Sequence, residues 1–69
     1  MTKNKKLFLA KYGSKEHLDQ LVNDENSDVR CHLARNPLLH KEHLDKLVND
    51  ENWHVREAAK EQIEKRFPG

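Results

Sequence analysis

The sequence predicts an all-α protein, a short stack of helical repeats with about five helices in two and a half repeats. Three observations carry that expectation. Residues 15–30, KEHLDQLVNDENSDVR, return at residues 41–56 as KEHLDKLVNDENWHVR, with thirteen of the sixteen positions identical. Self-similarity at a fixed spacing marks stacked supersecondary units, none of which can bury its apolar stripe alone. Apolar residues recur at helical spacing, Leu18, Leu21 and Val22 in one copy and Leu44, Leu47 and Val48 in the other. Between these stretches fall the Ser, Asn, Gly and Pro residues at which helices start and stop.

The first helix is expected over residues 5–12, with Leu7, Phe8, Leu9, Ala10 and Tyr12, stopped by Gly13. Ser14 caps the second, and the turn 23–26 leads to Asn26, placed to accept the first free amide hydrogens of a third helix. That helix should reach Asn36, since Pro37 disfavours helical geometry in the residue before it. A longer connector, residues 37–40, precedes the fourth helix over 41–48, and Asn52 repeats the cap. The fifth, from Trp53 to about Arg66, turns Val55, Ala58, Ala59 and Ile63 inward and ends before Pro68-Gly69. Glu61 and Lys65 stand in the favourable order for an ion pair along it. Sliding the first helix by 24 residues lays Leu9-Ala10 over Leu33-Ala34, so the chain opens on the second half of a repeat. The expected organisation is one domain over residues 1–69: a half repeat at 3–13, a repeat at 14–37 and a repeat at 38–67.

Composition narrows the function. A chain of 69 residues has room for one small core and none for a separate substrate domain. Charged residues make up 36% of it, yet both signs are interspersed and the net charge is +1, which suits solvated helix faces better than a disordered tail. The lone Cys31 can form neither an internal disulfide nor a thiolate-rich zinc site, and fits a reducing compartment. Lys11 interrupts the apolar run near the start well short of a signal peptide or spanning helix, so the expectation is a cytoplasmic protein with no membrane partner.

The run Asp24-x4-Val29-Arg30-x2-Leu33-Ala34-x-Asn36-Pro37, followed by Leu44-x2-Leu47, resembles the bacterial variant leucine-rich repeat, related in pattern to HEAT-like repeats. The resemblance covers nearly the whole chain. It implies a right-handed solenoid of alternating long and short helices, with no enzymatic activity arising from the repeat itself. The chain departs from the pattern at Gly13, which stands where the proline would be, in a first connector two residues shorter than the second, and at Lys60-Glu61-Gln62, which lacks Asn-Pro.

Arg30 and Arg56 each follow an inward valine and lie near an acidic turn at Asp24 or Asp50. The preferred reading is a structural ladder tying one repeat to the next, since the guanidinium fork meets carboxylates or carbonyls in two places. The competing reading is phosphate recognition. Five histidines raise the question of a metal, but His17 and His43 are repeat-equivalent and do not converge, and Cys31 and His32 point apart on a helix, so no metal and no cofactor are expected. His32 shares a column with Phe8 and Ala58 and should be partly buried and hydrogen-bonded. No nucleophile faces a base and no glycine-rich phosphate loop exists, which argues against an enzyme and a small-molecule substrate.

With Val29, His32, Leu33 and Asn36 inward, a helical wheel turns Ser27, Cys31 and Ala34 outward, together with Lys3, Leu7 and Ala10 in the first helix and Trp53, Glu57 and Lys60 in the last. The expectation is a partner-binding stripe formed by Trp53, Leu7, Cys31, Arg35, Glu57 and Lys60, with another protein as partner and self-association compatible with open ends. Against this anchor role for Trp53 stands a simpler one, a ring folded over the 49–52 loop to seal the stack. The rival class is nucleic-acid-backbone binding by Lys3, Lys5, Lys6, Lys11, Arg35, Lys60, Lys65 and Arg66, a stripe that Glu57, Glu61 and Glu64 interrupt.

Overall fold

Three of the five helices begin where a side-chain oxygen meets free amide hydrogens of the first turn. A computed structural model describes residues 2–68; Met1 and Gly69, the end residues of the expected domain and of the expected Pro68-Gly69 stop, lie outside the described residues. Helix α1, Lys3–Tyr12, starts two residues earlier than expected because Thr2 Oγ1 accepts the Lys5 N–H at 3.2 Å. Ahead of α2, Lys15–Leu21, the Ser14 N–H donates to His17 Nδ1 at 3.4 Å. Asn26 accepts the Asp28 N–H at 2.9 Å and opens α3, Ser27–Ala34. His40 precedes α4, Lys41–Leu47, without a side-chain cap bond. Asn52 accepts from His54 and Val55 at 2.9 and 3.3 Å to open α5, Trp53–Arg66.

Helix α3 stops at Ala34, short of the expected Asn36. The Arg35 and Asn36 amides tighten onto His32 and Leu33 carbonyls at 3.2 and 3.0 Å, the shorter-loop bonds with which helices commonly finish. Asn36 is thereby released for another task. Its Oδ1 accepts the Leu38 N–H at 2.8 Å, while Nδ2 donates to the Ala10 and Lys11 carbonyls of α1 at 2.6 and 3.3 Å. The same residue thus shapes the connector and satisfies the open carbonyl end of the neighbouring helix.

Gly13 ends α1, but not through a left-handed backbone, since its φ is −72°. A Cβ there would overlap the Leu9 carbonyl oxygen and sit 2.9 Å from His17 Cβ, so glycine serves a close approach between α1 and α2. Its N–H also donates to the Leu9 carbonyl at 2.7 Å, a bond that the proline of the repeat pattern could not make.

Helix α3 is central, with α1 and α5 on its two flanks; α2 packs on α1 and α3, and α4 on α3 and α5. Helices α1 and α3 run parallel, because Lys3 Nζ meets Asp28 at 2.9 Å near their starts and Asn36 meets Ala10 near their ends. The molecule is all-helical, and among the described residues there is no strand. Its extents are 37 × 23 × 14 Å. The smallest matches two layers of helix, an axis spacing of about 8–10 Å plus a Cα radius of about 2.3 Å on each side.

Between the layers Leu18, Leu21, Val22, Val29, Leu33, Leu39, Leu44, Leu47 and Val55 are buried with four alanines. Burying each leucine or valine is worth about 1.5–3 kcal/mol, so this shared core is what the two repeats could not form apart. Leu39 closes the core from within the longer connector, whereas its neighbour Leu38 is exposed.

Candidate functional site

The acidic turns and the arginines form a ladder along one edge of the molecule. Arg30 is buried and donates through Nε and Nη2 to the two Asp50 carboxylate oxygens at 2.7 and 3.1 Å, while Nη1 donates to the Asp24 carbonyl at 2.6 Å. One guanidinium therefore holds its own turn and the next. Lys6, which the 24-residue slide places in the Arg30 column, fills the same role on the preceding rung and meets Asp24 at 2.8 Å. Arg56 departs from the pattern: Nη1 donates to the Asp50 and Glu51 carbonyls of its own turn at 2.8 and 3.1 Å, and among the described residues it reaches no further carboxylate.

Burial raises the Asp50 pKa, but the Arg30 fork and the Asn52 amide more than offset it, so the carboxyl lies below its ordinary 3.8. Asp24 is lowered in the same way, burial being outweighed by Lys6 and the Asn26 amide. A second tie between the repeats, absent from the expected site residues, joins α2 to α4. The buried His43 places Nε2 2.5 Å from Asp19 Oδ1.

The expected outward stripe is corrected by the packing. Ala10 and Ala34 have no exposed surface at all, and Leu7 and Cys31 are half-buried against the core. Cys31 Sγ approaches the His54 carbonyl of α5 at 4.0 Å. Leu7 and Ala10 are equivalent to Cys31 and Ala34, and these positions belong to the flank along which one long helix meets the next. Small side chains there permit close approach. In α5 the same column holds Glu57 and Lys60, which are exposed and paired with each other at 3.4 Å. Leu7 and Cys31 are thus partly covered by the packing, while Glu57, Lys60, Arg35 and Trp53 are exposed. Trp53 is 58% exposed and meets His54 edge-on, ring centroids 5.1 Å apart.

The column expected to face inward also divides. Val29, Leu33 and Asn36 are buried, and His32 is half-buried with Nδ1 2.7 Å from the Asp28 carbonyl, but Phe8 in the same column is 59% exposed. Phe8 and Tyr12, one turn apart on α1, contact each other with ring centroids at 5.1 Å. Beside them a groove of about 570 Å³ opens between the ends of α1 and α3, lined by Lys11, Tyr12, His32, Arg35, Asn36, Pro37 and Leu38. Tyr12 and Leu38 are 73% and 71% exposed, so three large apolar side chains gather on one surface. Lys11 and Arg35 make no ion pair among the described residues, so the rim carries two cations, with the Glu61 carboxylate near enough to Arg35 for their charges to interact. A contact between a helix end and a connector far along the chain has no periodic trace. The sequence signals it only weakly, through two adjacent leucines in a connector that needs one of them for the core.

Among the described residues no three His, Cys, Asp or Glu side chains converge as a metal centre would require, and no helix is long and apolar enough to cross a membrane. Comparison with protein-family models, with curated proteins and with solved structures returns no match. The features that bear on function are therefore the groove, the ladder and the α5 surface.

Proposed function

We propose that this is a small non-catalytic helical-repeat protein of the variant leucine-rich, HEAT-like kind, a short right-handed solenoid that binds another protein in the cytoplasm as an adaptor or inhibitor. The observation that supports this reading is the groove at the ends of α1 and α3. Exposed apolar side chains gathered in one place mark recognition surfaces, and aromatic anchors supply much of the energy at protein interfaces. Tyr12, Phe8 and Leu38 offer such anchors, and Lys11 and Arg35 at the rim select an acidic segment that carries a large apolar side chain.

A second reading rests on the same rim. Lys11 and Arg35 on either side of an exposed tyrosine also suit a nucleic-acid backbone with one stacked base. Capture from lysate, with and without nuclease and at two salt concentrations, separates the two readings when run beside Tyr12→Ala and Leu38→Ala. The protein reading expects one defined polypeptide held in a nuclease-resistant, salt-tolerant way and lost from both variants at unchanged helicity. Capture abolished by nuclease or by modest salt transfers the assignment to nucleic acid. Equal capture by all three proteins refutes the groove.

A further inference from the structure

The Arg30 rung serves as a template for Arg56. Both residues close the same local sequence, VNDEN-x-x-VR, and both anchor Nη1 on the carbonyl of the aspartate six residues before, Arg30 on Asp24 at 2.6 Å and Arg56 on Asp50 at 2.8 Å. In Arg30 this leaves the Nε–Nη2 edge facing forward, where Asp50 fills it with both oxygens. In Arg56 the corresponding edge meets no carboxylate among the described residues, although two carbonyls already hold the side chain in place. A guanidinium anchored in this way loses less rotamer freedom on gaining a ligand than a free surface arginine does.

We infer that the open edge of Arg56, together with the exposed Trp53 one turn before it, is a receptor for a carboxylate carried by another polypeptide. The kind of partner follows from the filled rung. Asp50 presents its carboxylate from a helix-opening turn, where Oδ1 also accepts the Asn52 N–H at 2.8 Å. An Asp-x-Asn turn at the start of a partner helix reproduces that geometry. The neighbourhood selects carboxylate over phosphate, because the Asp50 carboxylate already lies close enough to Arg56 for their charges to interact and repels a dianion more strongly than a monoanion. Contact is confined to the start of α5. Glu57 and Lys60 stand where Cys31 and Ala34 let a neighbouring helix approach α3, so a partner engages Trp53 and Arg56 without lying along the whole helix.

The test uses the intact chain and the blocked tripeptide acetyl-Asp-Gln-Asn-amide, which carries a single carboxylate, at constant ionic strength. Trp53 is the only tryptophan, so its emission reports on this site alone. Saturable change in that emission is expected, with the Nε–H resonance of Arg56 moving and that of Arg30 stationary. Arg56→Lys, which keeps the charge but not the fork, should bind about tenfold more weakly, the loss of one charge-assisted hydrogen bond. Tyr12→Ala should bind as the parent does, which keeps this outcome separate from that of the groove. Three results overturn the inference: equal binding by Arg56→Lys, tighter binding of inorganic phosphate than of the tripeptide, or parallel movement of the Arg35 and Arg66 resonances.

Discussion

Removing Arg30 should be the most damaging single charge deletion in the molecule. Its side chain and that of Asp50 are each only 9% exposed, and truncation to alanine would strand the carboxylate beside the core with one remaining donor, the Asn52 amide. Leaving one member of a buried ion pair unmatched costs about 3–5 kcal/mol. The whole stability expected for a chain of this size is only about 3–10 kcal/mol, so Arg30→Ala should be marginally folded or unfolded at room temperature. Lys6→Ala removes a more exposed cation and leaves Asp24 the Asn26 amide, so it should cost less than Arg30→Ala. Arg56→Ala loses two bonds to carbonyls and strands no carboxylate, so it too should cost less than Arg30→Ala. Urea denaturation followed by helical circular dichroism, in a stabilising osmolyte such as sucrose so that Arg30→Ala keeps a folded baseline, gives the three values. A double-mutant cycle with Asp50→Ala then isolates the Arg30–Asp50 coupling, expected at about 1–3 kcal/mol. Equal losses for Arg30→Ala and Lys6→Ala, or a coupling indistinguishable from zero, would show that the ladder does not join the repeats energetically.

Other expectations follow from individual contacts. Asp24, Asp28 and Asp50 are all held below their ordinary pKa, so the unfolded chain takes up protons first as pH falls; stability should be level above about pH 5 and decline below it, with a shallower acid limb in Asp50→Asn. An acid limb unchanged by that substitution would count against the assignment. Gly13→Ala should destabilise by about 1–3 kcal/mol through the clash with Leu9 and His17, read as a lower melting temperature; an unaltered one would mean that α2 shifts freely. Asn36→Ala leaves the Leu38 amide and the Ala10 carbonyl without their partner. It should cost about 1–3 kcal/mol and speed amide exchange around residues 36–39; slow exchange there would remove Asn36 from its bridging role.

The helices and most of the core could be read from the sequence because both follow local periodicity. Leu18, Leu21, Leu44 and Leu47 lie one turn apart and are buried, and Asn26 and Asn52 cap as their chemistry requires. The flanks could not be read from one wheel. A wheel separates inside from outside, but α3 lies between α1 and α5 and has two further contacting sides, so Cys31 and Ala34 face a neighbour where the wheel shows water. The clue lay in the change of character down the column, apolar at Leu7 and Cys31 and charged at Glu57. The groove was hidden for another reason. Asn36 brings the end of α1 to a connector far along the chain, and long-range joins by a single side chain leave no period.

That change of character has a bearing on how such a molecule could grow. Between Asn52 and Trp53 a duplicate of residues 27–52 would find an apolar wall on one side, offer an identical wall on the other, and bring with it both the arginine and the aspartate of one further rung. Added beyond α5, the same duplicate would press against Glu57 and Lys60 and displace water from both. Lengthening is thus favoured in the interior of the array, and the outermost helices can keep their specialised surfaces while the number of units between them varies.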